Sequence, residues 1–293
     1  SIKSEDSLIS VGSGAKLNIT GDTVIENGVA KYGGGLIVNQ GLLNMTGGTI
    51  RGNHATALGG GVYVQGYQAV VNFDGGSLIG NSSKVYGGGV AVGDKGTVNF
   101  GLYDGRTLIS QNSSVSEGGG ICYEYSTQGK IYQATFTDNE STSTSMYVSG
   151  AAISIQQNAS VEMKNLYASG NRSTSGYANY GALYTCPTGE TAIFEINGAL
   201  IIDNKDMNNY KTTDIYHNTG REGNKVYVSD VAPGGGDITF VRSSNPSEVL
   251  DRSVYQYNAG SFSMISQASE QTKQWAKEAA ETHGVVVTGN AGG

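Results

Sequence analysis

Short runs in which apolar and polar residues alternate return along most of the chain at nearly constant intervals. Alternation with a period of two is typical of a β-strand that turns one face inward. One set of runs carries the apolar pairs Leu17/Ile19, Leu43/Met45, Val71/Phe73, Val98/Phe100 and Val161/Met163. A second set carries Leu36/Val38, Val62/Val64, Val90/Val92 and Ile121/Tyr123. The pattern predicts short strands that share one apolar interior.

An asparagine marks each repeat of this pattern. Seven of them, at gaps of 26, 28, 31, 27, 32 and 33 residues, are Asn27, Asn53, Asn81, Asn112, Asn139, Asn171 and Asn204. The residues three positions earlier are all apolar: Val24, Ile50, Leu78, Ile109, Phe136, Ala168 and Ile201. Glycine triplets begin six residues after the first four asparagines, at Gly33, Gly59, Gly87 and Gly118. A repeat of about 20 to 50 residues is typical of a solenoid, in which each unit buries its apolar face against its neighbours.

These columns predict an all-β fold, a parallel β-helix with three short strands per coil and about seven to nine coils. We expect one solenoid domain, regular over residues 1–221 and irregular over residues 222–293. Asparagine tolerates a left-handed backbone, and stacked asparagine side chains can satisfy main-chain groups at tight corners. Glycine allows positive φ and close approach of the next coil. The chain has no GxxxxGK[ST] motif, so a structural role is expected for both columns.

The C-terminal part departs from the repeat. From Ser266 to Glu281 an apolar stripe with helical spacing includes Trp275, the only tryptophan, and Gly284 ends it. We expect an α-helix over residues 266–281 that covers the solenoid as a lid or side brace, because exposed strand edges invite pairing with other chains. A helix that binds a partner is the alternative.

The composition of the chain restricts the kinds of partner that it can bind. The net charge of −7 argues against a nucleic-acid partner, which favours a basic face. Cys122 and Cys186 fall on opposite strand faces two coils apart, so no disulfide is expected. No apolar run is long enough to span a membrane, and no signal peptide is recognisable. We expect no membrane insertion, a monomer, no cofactor and no metal, in a segment excised from a longer protein.

Two short motifs add a resemblance. Phe136-Thr137-Asp138-Asn139 is an FxxN tetrapeptide, and Gly150-Ala151-Ala152-Ile153 with the glycine-triplet strands approximates GGA[ILV]. Together they resemble the repeats of polymorphic outer membrane proteins and related bacterial right-handed β-helix surface proteins and adhesins, over roughly Leu8 to Tyr216. The resemblance implies a right-handed β-helix at the bacterial cell surface or outside the cell. There it would act as an adhesin or stalk for a glycan or a host surface protein.

The main alternative is an enzyme that cleaves polysaccharides, because many right-handed β-helices do so. Of the four motifs of polygalacturonase-like enzymes only Asn204-Lys205-Asp206 has a match. Glycoside cleavage needs two carboxylates about 5 to 9.5 Å apart, whereas acids such as Asp74, Asp104 and Glu124 fall at different points of their coils. We therefore expect no catalytic residues. An inert spacer is the third possibility.

Two surface features are candidates for binding. The outward column of the second strand carries Asn18, Asn44, Asn72 and Asn99, then Lys130, Glu162 and Glu195, which we interpret as hydrogen-bonded surface packing. The link from asparagine to the next strand lengthens in three consecutive coils after Asn139. Those insertions should project side by side as a ledge that carries the candidate ligand-binding residues Tyr147, Tyr177, Tyr180 and Tyr210.

Overall fold

The computed structural model describes residues 6–142 apart from 104 and 125, then 150–156, 158–164, 167–173 and 183–185. It also describes short strands as far as residue 264. The described strands stack in four sheets and pair in parallel, apart from three antiparallel pairs beyond residue 204, so the all-β fold and the parallel β-helix are confirmed. The predicted helix over residues 266–281 lies outside the described residues.

Each coil contributes one strand to each sheet. The first three coils contain β1 (Ile9–Val11), β2 (Lys16–Ile19), β3 (Val24–Glu26), β4 (Val29–Tyr32), β5 (Leu36–Asn39), β6 (Leu42–Met45), β7 (Thr49–Arg51), β8 (His54–Leu58), β9 (Val62–Gln65), β10 (Val70–Phe73), β11 (Ser77–Ile79) and β12 (Ser82–Ser83). The next three contain β13 (Val90–Val92), β14 (Thr97–Phe100), β15 (Thr107–Ser110), β16 (Ser113–Ser114), β17 (Ile121–Tyr123), β18 (Gln128–Tyr132), β19 (Ala134–Thr137), β20 (Glu140–Ser141), β21 (Ile153–Ile155), β22 (Ser160–Lys164), β23 (Tyr167–Ser169) and β24 (Arg172–Ser173).

The later strands extend the same sheets. They are β25 (Leu183–Thr185), β26 (Ile193–Asn197), β27 (Leu200–Ile202), β28 (Lys205–Asp206), β29 (Lys211–Thr212), β30 (Ile215–His217), β31 (Lys225–Val228), β32 (Phe240–Arg242), β33 (Asn245–Leu250), β34 (Tyr255–Tyr257) and β35 (Phe262–Met264). Sheets A, B, C and D begin with β1, β2, β3 and β4, and each adds every fourth strand up to β28. About five turns separate β1 from β21.

The prediction of three strands per coil is wrong, because a fourth sheet is present. Sheet D consists largely of two-residue strands such as Ser82–Ser83 and Ser113–Ser114, which directly follow the asparagines. The first serine of each pair is partly exposed and the second is buried. Two residues are too few for an alternating pattern to stand out, so the sequence does not distinguish this strand from a loop.

The predicted apolar columns form the interior. Ile50, Leu78, Ile109, Phe136 and Ala168 are all fully buried. In the neighbouring sheet B the rings of Phe73 and Phe100 stack with centroids 4.9 Å apart. Stacking repeats at about 4.8 Å places equivalent side chains in direct contact from coil to coil, which makes the core one continuous column.

The asparagines form a buried ladder. The Oδ1 atom of Asn81 accepts hydrogen bonds from the backbone N–H and from Nδ2 of Asn53, at 3.1 and 3.0 Å. Its Nδ2 donates to the carbonyl of Ile50 at 2.9 Å and to Oδ1 of Asn112 at 3.0 Å. The same bonds recur along the ladder, whose described members are Asn53, Asn81, Asn112, Asn139 and Asn171. The structural role predicted for this column is confirmed.

The first repeat is shifted by one residue relative to the predicted alignment. Val29 pairs with His54, so the residue aligned with Asn53 is Gly28 and not Asn27. The same shift leaves Val24 47% exposed and turns Ile25 inward. Asn27 instead has a left-handed backbone with φ of 62°. In the later coils it is the residue before the asparagine that takes this conformation, at Gly52, Gly80, Gln111, Asp138 and Gly170.

The glycine triplets combine the two predicted roles. Gly59 has φ of +68°, a conformation that other residues adopt at a cost. A Cβ on Gly60 would lie 2.3 Å from the carbonyl oxygens of Gly88 and Ser82 in the next coil. The positive φ lets the chain turn toward its strand in sheet A, and the missing side chains let its backbone contact the backbone of the next coil.

Candidate functional site: a polar groove on sheet B

Two columns of side chains run along the outer face of sheet B. The register through β2, β6, β10, β14, β18 and β22 aligns Lys16, Leu42, Val70, Thr97, Gln128 and Ser160 in one column. The second column contains Asn18, Asn44, Asn72, Asn99, Lys130 and Glu162. Both columns change character at β14 and β18. After Lys16 the first column is apolar at Leu42 and Val70 and turns polar at β14, and the second turns from asparagine to charged residues at β18.

The asparagines of the second column are hydrogen-bonded to each other, as predicted. Nδ2 of Asn44 donates to Oδ1 of Asn18 at 3.2 Å, and Nδ2 of Asn72 donates to Asn44 at 3.0 Å. Asn99 continues the chain with a bond of 2.9 Å to Asn72, and its Oδ1 accepts the backbone N–H of Lys130 at 3.1 Å. This outer ladder therefore ends where β18 begins to contribute side chains of other kinds.

A loop stands beside these columns between β14 and β15, and its described residues are 101–103 and 105–106. In the two preceding coils the same corner contains only residues 46–48 and 74–76. Oδ1 of Asp74, one coil earlier, accepts the backbone N–H groups of Tyr103 and Gly105 at 2.9 and 3.2 Å. Gly105 lies so close to Asp74 that a Cβ there would be 1.9 Å from its carbonyl oxygen. The loop is thus fixed to the stack by one carboxylate.

The loop and the two columns enclose a groove with a volume of about 350 Å³. Its described lining consists of the polar residues Thr97, Asn99, Gln128, Lys130 and Ser160 together with Leu102 and Gly129. Gln128, Lys130 and Ser160 are exposed to solvent. Tyr103, next to Leu102 in the chain, is 77% exposed. The groove is open and rich in hydroxyl and amide groups.

Beneath the groove lies a buried tyrosine. A Cβ on Gly129 would be 2.5 Å from Cε1 of Tyr123, so only glycine leaves room for that ring. The Tyr123 hydroxyl donates to the carbonyl of Val98 at 3.0 Å. Burial raises the pKa of Tyr123 well above its ordinary value, so the hydroxyl keeps its proton. This packing holds β14 and β18 together under the groove.

A second cluster of polar residues lies on the outer face of sheet A. The hydroxyl of Ser154 donates to Oε2 of Glu117 at 2.8 Å, and Nε2 of Gln156 lies 3.7 Å from Sγ of Cys122. Glu117 and Glu124 are only 5% and 3% exposed. Desolvation raises the pKa of Glu117 well above its ordinary value, and the charge of Glu124 adds to the rise. Desolvation also raises the pKa of Glu124, to about 7. A hydrogen bond with Cys122 lowers this pKa, and the charge of Asp94 raises it further.

Sequence reasoning missed Glu117 and named Glu124 only among acids that fall at different points of their coils, so it did not predict that the two lie in one cluster. They flank the glycine triplet and the strand β17, and the outward residues of that strand and its neighbours contain no acid. Acids with raised pKa values are typical of general acid catalysts. Here, however, both are buried under other residues, which separates them from any substrate in solution. Cys122 is a buried cysteine in the same cluster.

The four tyrosines predicted to bind ligand, Tyr147, Tyr177, Tyr180 and Tyr210, lie outside the described residues, as does Cys186. Asp74, one of the acids weighed for a polysaccharide-cleaving enzyme, accepts the loop amides of Tyr103 and Gly105. In the part of the chain that the structure describes, no group of three or more His, Cys, Asp or Glu side chains could hold a metal ion. Within that same part, no helix has the length and apolar character to cross a membrane.

Comparison of the chain with protein-family models, with curated proteins and with solved structures finds no significant match.

Proposed function

We propose that this chain is a non-catalytic module of a bacterial surface protein, an adhesin or stalk that binds a glycan or a host surface protein. In this proposal the chain is a monomeric right-handed β-helix of seven to nine coils, located outside the cell or on its surface. Its C-terminal helix covers or braces the stack. The FxxN and GGA[ILV] motifs support the surface assignment, and the net charge of −7 fits a partner other than nucleic acid.

One contrast supports binding without cleavage. The described lining of the open groove on sheet B contains no carboxylate. The close carboxylates on sheet A, Glu117 and Glu124, are buried and so are removed from solvent. Glycoside cleavage requires acid and base groups on both sides of the scissile bond. Hydroxyl and amide groups on an open face can hold a ligand but cannot supply that pair.

The test is to apply the purified chain to a glycan array and to immobilised host-cell surface proteins, then to analyse each bound glycan by mass spectrometry. Saturable binding with unchanged glycan masses is expected. Release of new reducing ends or unsaturated products, abolished by Glu124→Gln, would instead establish an enzyme. Absence of binding to every glycan and every host protein would indicate that the chain is an inert spacer.

A further inference from the structure

The groove on sheet B has features of a built site. The corner between sheets B and C lengthens from three residues to six only at the coil where the outer column turns from Leu42 and Val70 to Thr97 and Gln128. A structural corner needs no such change, because the two preceding coils close with three residues. The carboxylate of Asp74 then holds the longer loop in one position.

The chemistry of the lining restricts the ligand. An apolar small molecule would need a mainly hydrophobic pocket, whereas Leu102 is the only large apolar side chain among the described residues that line this groove. A hard cation would need several oxygen ligands with carboxylates among them, and the described lining has none. A polyphosphate would need more cations than Lys130 in a chain with a net charge of −7.

The donors and acceptors that remain suit a polyhydroxylated ligand. Each hydroxyl of a sugar both donates and accepts, and hydroxyls and amides of the lining can do the same. In the described part of the chain, the side chains of Gln128, Lys130 and Ser160 make no hydrogen bond, so they are available to a ligand. Leu102 offers a small apolar surface, and the exposed Tyr103 beside it can stack on the apolar face of a ring.

From this arrangement we infer that the groove is a saccharide-binding site that takes one or two pyranose residues. The volume of about 350 Å³ lies at the lower end of the range for ligand pockets, about 300 to 1,000 Å³, which fits a short saccharide. Hydroxyls of the sugar bond Thr97, Gln128 and Ser160, and the ring lies toward Leu102 and Tyr103. This inference rests on the proposed binding function and assigns a place to it.

The experiment measures saturation-transfer NMR and affinity for the full chain. The probes are the methyl glycosides of glucose, galactose, mannose, N-acetylglucosamine and glucuronic acid, together with their disaccharides. Gln128→Trp fills the groove and should abolish binding of the sugar that the parent chain binds. Gln128→Ala should weaken it by about fivefold, the loss of one net hydrogen bond. Tyr103→Ala should weaken it by a similar factor.

Matched controls separate the groove from general surface effects. Lys16→Trp makes the same kind of change in the same outer column, four rungs away, and should leave affinity within twofold of the parent. Tyr67→Ala removes an exposed tyrosine from another corner and should also be neutral. Circular dichroism should show that all variants remain folded, as expected for changes at exposed positions.

The outcomes also distinguish the groove from the proposed function. Sugar binding that survives Gln128→Trp contradicts the assignment of the binding site to the groove, and it leaves an adhesin that binds sugar elsewhere. Failure of every sugar in the panel, with host-protein binding retained, overturns the saccharide assignment alone. Sugar binding that Gln128→Trp abolishes, accompanied by cleavage of the sugar, supports the groove and overturns the non-catalytic role.

Discussion

Replacement of Asn81 by alanine tests the buried ladder that joins the coils. The side chain of Asn81 makes four hydrogen bonds, two accepted by Oδ1 and two donated by Nδ2. These use the full capacity of a side-chain amide. The alanine variant loses all four and leaves the backbone N–H of Asn53 without the partner it has in the fold. At about 1 kcal/mol for each net bond, the expected loss of unfolding free energy is about 4 kcal/mol.

The matched control is Asn44→Ala in the outer ladder. Asn44 also stacks between asparagines, donating to Asn18 and accepting from Asn72. Its neighbours face solvent, however, and water replaces the lost bonds. The expected cost is therefore below about 1 kcal/mol.

Urea unfolding followed by circular dichroism measures both variants against the parent chain. The slope of free energy against urea should be compared as well, because a lower slope would show that only part of the stack unfolds. If Asn81→Ala and Asn44→Ala have the same midpoint, the buried ladder does not hold the coils together and the reasoning above fails.

Three further changes test the core, the buried acids and the loop. Leu78→Asp places a charge without a partner in the fully buried column and should lower the free energy of unfolding by several kcal/mol, which a large fall in melting temperature would show. A melting temperature equal to that of the parent chain would show that Leu78 is not interior. The pKa of Glu124 is raised from 4.5 to about 7 in the folded chain, so between these pH values the folded chain retains a proton that the unfolded chain releases. The free energy of unfolding should therefore fall as pH rises from 4.5 to 7, by about 3 kcal/mol. Glu124→Gln should flatten this dependence in melting curves recorded across that range, apart from a remaining share from Glu117, and an unchanged dependence would contradict the assignment. Asp74→Ala should increase hydrogen exchange at the loop amide of Tyr103 while β14 stays protected; unchanged exchange there would show that Asp74 does not anchor the loop.

The sequence allowed the parallel stack to be predicted because its columns are long and uniform. Leu78 and Phe136 lie three residues before their asparagines and are fully buried, as expected from that spacing. Two details escaped prediction. The two-residue strands of sheet D are too short to show alternation. In the first coil the residue that aligns with Asn53 is Gly28, whereas the sequence repeat favours its neighbour Asn27. A bulge between Ala30 and Tyr32 absorbs the shift, and no sequence period reports it.

The candidate groove was only half visible in the sequence. The outer asparagine ladder was recognised from its spacing and interpreted as packing, which its hydrogen bonds confirm as far as Asn99. Two signals of the site itself were overlooked: the longer corner after β14, and the change from Val70 to Thr97 in the adjacent column. The bonds from Asp74 to the loop depend on contact between neighbouring coils, so only the folded structure could show them.

The stacking register carries both the ladder and the groove, and a distance across five coil steps tests it most directly. Lys16 and Ser160 occupy the same outer column of sheet B. Spin labels are attached at Lys16→Cys and Ser160→Cys in a chain that also carries Cys122→Ala and Cys186→Ala. The distance between them is then measured by double electron–electron resonance. Five steps of about 4.8 Å predict a narrow distribution centred at about 24 Å. A broad distribution, or a mean more than twice as long, would contradict the stack.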